Sequence, residues 1–293
     1  MSFLSVRNFT AEQVENLFTD AIFFKTKEAK PKLENKVISL IFFEPSTRTR
    51  ISFEMAALRL GAKVSLLNGK VGTSLEKDET PEDTIKNIAA MKPDLLVIRA
   101  NDNVNLNQMI NEVSPPIINA GWGTKGHPTQ ALLDILTIKD SNRNIENEKI
   151  LFVGDIRHSR VVSSHLELAK ILGYKIAFCA PKEMIPENSS QVYFDNLKDG
   201  LDWASSVYSL RMQIERHTEK YSLNNISTQF QINNKSLKGW KKDGLILHPG
   251  PVNYGIELAE EILIDSRNII LKQVQYGVLI RMALIYHFLK ETL

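Results

Sequence analysis

The chain has 293 residues, 43% hydrophobic and 24% charged, with a net charge of +2. That length favours two domains over one, and the composition is that of a folded soluble protein. Little net charge and no long basic run argue against nucleic acid or anionic membrane as the main partner, although a local basic site for a small anion stays open. No apolar run approaches the ~20 residues of a membrane span, and the N-terminus "MSFLSVRNFTAEQ" lacks a basic segment followed by a long apolar core. A cytoplasmic enzyme is the expectation. The single cysteine, Cys179 in "KIAFCAP", cannot form an intramolecular disulfide or a cysteine-based zinc site, so a buried core thiol is expected.

In chain order, Thr10 and Gln13 predict a capping box opening the first helix. The run "KVISLIFF" (36–43) predicts a strand, and "FFEPSTRTRISFE" (42–54) takes it directly into a helix. Thr80 before Pro81 predicts the next helix start. Further strands are predicted at 94–100, 116–121, 149–155, 175–180, 205–211 and 244–248. These runs are continuous rather than alternating, as strands covered on both faces should be. The helix "VVSSHLELAKILG" ends on a glycine suited to a left-handed C-cap. A β-α-β rhythm occurs twice, predicting two doubly wound parallel-sheet α/β domains linked by helices. The expected division is 1–136, completed by the apolar C-terminal helix 274–293, and 137–273. The polar stretch "SNRNIENEK" (141–149) marks the change, and 215–243 reads as a long mobile loop.

Several constellations carry chemistry. At 44–50, Ser46, Thr47 and Thr49 supply hydroxyls and Arg48 and Arg50 supply guanidinium groups, where a helix N-terminus favours anions. A plain helix cap with solvated arginines explains the same residues, and the two readings stay open. In "NAGWGTKGHPTQALLD" (119–134) three glycines suggest close backbone approach to a ligand before His127 and Gln130 open a helix. Ser74 and Lys77 lie in a polar loop, which alone reads as plain surface. Arg99, Arg160 and Arg211 with Gln213 end strands or begin helices at the edge where α/β folds bind ligands. The turn "HPGPVN" (248–253) ends another predicted strand. No metal cluster, dinucleotide fingerprint, P-loop or Ser-His-Asp spacing stands out. From these residues alone, the reading is an α/β enzyme joining a phosphorylated substrate to a second anion.

Taken in this order, the motifs resemble the aspartate carbamoyltransferase catalytic chains of the transcarbamoylase family, over essentially the full length. "FFEPSTRTRISFE" is similar to the carbamoyl-phosphate motif of all transcarbamoylases, and "HPTQALLD" to their second shared motif. "YSLRMQIER" (208–216) and "HPGPVNYGIELAEE" (248–261) resemble the aspartate branch; the His-Cys-Leu-Pro turn of ornithine enzymes is missing. The resemblance implies a carbamoyl phosphate site of Ser46, Thr47, Arg48, Thr49, Arg99, His127, Gln130, Pro249 and Gly250. Within that set Arg48, Thr49, Arg99 and His127 would act in the chemistry. It implies Ser74 and Lys77 delivered by a neighbouring chain of a homotrimer, and Lys77, Arg160, Arg211 and Gln213 on aspartate. It implies no cofactor and no metal, and it leaves regulatory chains possible. The sequence departs from many members at "SLEKDET" (74–80), at Tyr254 and at Gly250. The alternative it leaves is a transcarbamoylase acting on ornithine or an acylated ornithine.

Overall fold

The computed structural model describes residues 2–26, 33–211 and 229–290. The chain divides into two compact units, Met1–Leu133 with Val274–Leu293, and Asp134–Gln273. The division falls inside a helix, three residues ahead of the position expected from the sequence.

The first unit opens with α1 (Ala11–Lys25), where Thr10 and Gln13 form the reciprocal capping box. Four parallel strands follow: β1 (Val37–Phe42), β2 (Lys63–Asn68), β3 (Leu95–Ala100) and β4 (Ile117–Trp122). They are ordered β2-β1-β3-β4. Helices α2 (Thr47–Arg59), α3 (Pro81–Ala90) and α4 (Leu106–Glu112) make the connections. Thr80 caps α3 through the Asp83 amide, with Pro81 in the first turn. The strands β1, β3 and β4 are almost wholly buried, which is why they read as unbroken apolar runs. Phe3 adds a parallel bridge to Ile118 and so covers part of the β4 edge. Truncating a core residue such as Ile98 to alanine should cost about 2–5 kcal/mol.

Helix α5 (Pro128–Lys139) runs from the first unit into the second. There five parallel strands, β5 (Lys149–Val153), β6 (Lys175–Cys179), β7 (Val192–Phe194), β8 (Ser206–Ser209) and β9 (Leu245–Leu247), are ordered β7-β6-β5-β8-β9. Helices α6 (Arg160–Leu172) and α7 (Leu197–Trp203) lie between them in sequence. Gly173 ends α6 at φ 82°, the left-handed cap its position predicts. Cys179 is buried, and burial followed by the Asp195 and Asp199 charges pushes its thiol up to about 12.

The last helix, α8 (Ile270–Leu289), returns the chain to the first unit. Its buried Arg281 donates to Ser52 of α2 at 2.8 Å and to Thr129 of α5 at 3.3 Å. Among the described residues no helix is long and apolar enough to cross a membrane.

Two sequence expectations need correction. Residues 229–243 are not a free loop: Phe230, Ile232, Leu237 and Trp240 are buried in the core of the second unit. Their spacing follows no helix or strand period because a turn at Asn233–Ser236, closed by Asn233 and Ser236 side chains, sets them. Residues 215–228, the rest of that expected loop, lie outside the described residues. The strands β2 and β7 were not foreseen, and both are edge strands.

Candidate active site

In each unit the strand order reverses beside the first strand of the sheet. From β1 the chain steps out to β2 and then crosses back to β3 on the other side; from β5 it steps out through β6 and β7 and crosses back to β8. The carboxyl ends of the strands on either side of such a reversal form the crevice in which α/β sheets bind ligands. In the first unit that crevice lies between β1 and β3, and in the second between β5 and β8.

The first crevice gathers residues from three segments. Phe42, the last residue of β1, is in register with Arg99, and the Phe43 amide donates to the Arg99 carbonyl at 2.9 Å. Arg99 therefore lies beside the turn that starts α2. Its Nε is 3.6 Å from Oε2 of Glu44, a residue given no role from the sequence although it stands inside the quoted motif. Ser46 occupies the N-cap position of α2, yet its side chain accepts from none of that helix's amides. The first in-helix bond there runs from the Arg50 amide to the Ser46 carbonyl at 3.3 Å. The first turn of α2, Thr47 to Thr49, lies ahead of that bond, at the positive end of the helix dipole. Arg48 is exposed and Thr49 buried. Arg50 pairs with Glu54 one turn on, Nη1 to Oε2 at 3.0 Å, so it braces the helix.

His127 reaches the same place from β4. It is buried, and its Nε2 lies 3.4 Å from Oγ1 of Thr49. Gln130 follows one turn into α5 and is also buried. At Gly123, φ is 44° and an added Cβ would collide with the Asp102 carboxylate, which accepts from the Thr124 amide at 2.9 Å. Trp122 and Gly126 close the turn with reciprocal backbone bonds. The close approach at Gly123 is therefore made by Asp102, in the turn that leads to His127.

Ser74 and Lys77 are exposed on a separate 3₁₀ turn, Ser74–Lys77, which ends at Asp78 with φ 64°. The structure does not bring them to the Thr49–His127 pair by any hydrogen bond between described side chains.

In the second unit, Val153 at the end of β5 is in register with Ser209 of β8, and its carbonyl accepts from the Leu210 amide at 2.8 Å. That pairing sets the segment 154–160 beside Arg211. Arg160 is the first residue of α6, whose N-terminus is capped by Ser159 accepting from the Val162 amide at 3.4 Å. Asp155 is fully buried and takes His158 Nδ1 at 2.9 Å. After β9, Pro249 and Gly250 form a turn in which Gly250 has φ 65°, a conformation suited to glycine. Gln213 lies outside the described residues.

With this geometry in place, comparison with known proteins is informative. Residues 1–140 match the model of the aspartate/ornithine carbamoyltransferase carbamoyl-P binding domain, and residues 146–288 match that of the Asp/Orn binding domain. The chain belongs to the aspartate/ornithine carbamoyltransferase family. A relative named aspartate carbamoyltransferase catalytic subunit, from Nitratiruptor sp., is 40% identical over 96% of this chain and 96% of its own length. Another of that name, from Aliarcobacter butzleri, is 42% identical over 95% and 94%. Among solved structures, the catalytic subunit of M. jannaschii aspartate transcarbamoylase is similar at a TM-score of 0.87 and 29% identity, covering 99% of this chain and 98% of that one. Aspartate transcarbamoylase from Trypanosoma cruzi, in complex with carbamoyl aspartate and phosphate, is similar at 0.86 and 27%, covering 97% and 94%. These structures share the two parallel-sheet α/β units of this carbamoyltransferase.

Proposed function

We propose that the chain transfers the carbamoyl group of carbamoyl phosphate to the amino group of L-aspartate, giving N-carbamoyl-L-aspartate and phosphate for pyrimidine synthesis. The observation that carries this reading is the meeting of Thr49 and His127 beside the uncapped start of α2. It joins a place for a phosphate to donors suited to a carbonyl oxygen.

In this reading the phosphate rests on the start of α2, held by Ser46, the Thr47 amide, Arg48 and Thr49. Thr49, Arg99 and His127 hold the carbamoyl oxygen. Gln130 and the backbone carbonyls of Pro249 and Gly250 accept from the carbamoyl NH2. Arg160, Arg211 and Gln213 take the two carboxylates of aspartate, assisted by Lys77. The amine lone pair forms the new C–N bond while the carbonyl becomes an oxyanion. Collapse of that oxyanion breaks the C–O bond to phosphate, and the departing phosphate takes the amine proton. Each donor placed on the oxyanion is worth about 3 kcal/mol, and much of the remainder is orientation of two reactants.

The reading includes a homotrimer in which Ser74 and Lys77 serve the site of a neighbouring chain. Their exposure agrees with that role. So does exposed apolar surface in the same unit: Ile51, Met55 and Leu58 recur along one face of α2, and all three are exposed, as is Leu66 of β2. Sizing the purified protein against the complex in a cell extract separates a bare trimer from an assembly with regulatory chains.

The deciding assay supplies carbamoyl phosphate with aspartate, ornithine and an acylated ornithine in turn. Turnover with aspartate is expected. Turnover with either ornithine compound and none with aspartate would overturn the substrate assignment while keeping the family.

A further inference from the structure

A buried polar chain in the second unit has no part in the reaction as described. Asp134 is fully buried, and its Oδ2 accepts from Tyr208 Oη at 2.8 Å and His165 Nε2 at 3.1 Å. Its Oδ1 accepts from Nε2 of the buried Gln273 at 2.6 Å. Tyr174 Oη lies 2.9 Å from His165 Nδ1 and donates to the His165 carbonyl at 2.9 Å, which holds the imidazole against Asp134. Burial, then the Asp134 charge, raises Tyr174 well above its usual range, so the phenol keeps its proton.

Taking a carboxylate out of water is costly, and apolar residues at 134 and 273 would fill the space without that cost. The polar pair has a different consequence, because it gives the Gln273 amide one orientation. A carboxylate only accepts, so Gln273 presents its NH2 to Asp134. Its carbonyl Oε1 then faces the other way, where it accepts the His248 amide at 3.0 Å. Beyond that bond, the Gly250 amide donates to His248 Nδ1 at 2.7 Å, so the ring proton is on Nε2 and points to Glu257 Oε1 at 3.3 Å. Glu257 Oε1 also takes the Asn253 amide at 2.6 Å. The turn through Pro249 and Gly250 is therefore fixed at its first amide by Gln273 and from within by the His248 ring.

We propose that Asp134 and Gln273 are positioning residues that set the 248–251 backbone for recognition of the carbamoyl NH2 group. This rests on the assignment of the Pro249 and Gly250 carbonyls made above. It makes the preference for an NH2 over a methyl depend on residues that never touch the substrate.

The test is calorimetric binding to the intact protein of carbamoyl phosphate and of acetyl phosphate, which carries a methyl in place of NH2. The unaltered protein should prefer carbamoyl phosphate. Gln273→Met keeps the volume and removes both bonds. It should lose about tenfold in affinity for carbamoyl phosphate, the worth of one well-placed hydrogen bond, with acetyl phosphate nearly unchanged. Asp134→Asn, whose amide oxygen still accepts from Gln273, should keep most of the preference, whereas Asp134→Leu should lose it. An unchanged preference in both Gln273→Met and Asp134→Leu overturns the proposal, as does an equal loss for both ligands. A starting protein that binds both phosphates equally, or neither, overturns the turn assignment itself, and this inference with it.

Discussion

The two helices that follow the first strand of each sheet start from similar sequence and behave differently. α2 begins at "STR" and α6 at "SR", each after a strand at a chain reversal. In α6 the serine hydroxyl takes an amide of its own helix, from Val162. In α2 the serine hydroxyl takes none, and the first turn of that helix holds Thr49, which meets His127. The cap at α6 takes one of the amides at its helix start, ahead of Arg160. A start without that cap leaves one more backbone donor to a ligand. Phosphate, with several charged oxygens to satisfy, suits the second arrangement; a carboxylate needs no more than a guanidinium. The serine alone does not decide which role a Ser-Arg start plays; what its hydroxyl bonds to does.

That contrast predicts unequal costs for removing the two arginines. Arg48→Ala should lower turnover by ~10³-fold, because phosphate is bound most strongly as it leaves. His127→Ala should lower it by ~10²-fold, the usual loss for one oxyanion donor. Arg160→Ala should act mainly on the KM for aspartate, leaving carbamoyl phosphate binding nearly intact. Steady-state rates with each substrate varied would check all three. Near-normal turnover in Arg48→Ala and His127→Ala together would place the chemistry elsewhere.

Much of this is legible in the sequence, and the exceptions have physical reasons. The buried strands β1, β3 and β5 announce themselves because both faces are covered, so all but one position in each is apolar. β2 lies at an edge with most of its side chains exposed, so "KVSLLN" carries no continuous apolar signal. β7 is three residues long at the opposite edge of its own sheet. The cap residues Thr10, Thr80 and Gly173 were legible because capping is local chemistry. The Asp134 chain was not, since it joins positions 134, 165, 208 and 273, and only the fold brings them together. Gly123 was legible in part. A glycine announces close approach but not what approaches, and here the neighbour is Asp102.

A smaller but sharper effect tests the proposed completion of the first crevice by another chain. Lys77→Ala and His127→Ala chains should each be poorly active alone. Mixed by denaturation and renaturation, they should regain a measurable share of activity, since some sites would then pair an intact His127 with an intact Lys77 from a neighbour. Trimers verified as mixed that gain nothing would place Lys77 outside the reaction, and the comparison between crevices would then concern single chains only.

The smallest expected effects test the comparison most directly, because they come from the same atom removed at two helix starts. Ser159→Ala deletes a hydroxyl that holds the Val162 amide, so it should cost about 1 kcal/mol of stability. The readout is the midpoint of denaturant unfolding. Ser46→Ala deletes a hydroxyl that caps nothing in its helix, so the midpoint should stay within experimental scatter. Its cost should appear instead as a several-fold rise in the KM for carbamoyl phosphate, a loss that Ser159→Ala should not share. A Ser46→Ala protein destabilised as much as Ser159→Ala would mean that Ser46 is an ordinary cap. The start of α2 would then hold no more for a phosphate than the start of α6 does.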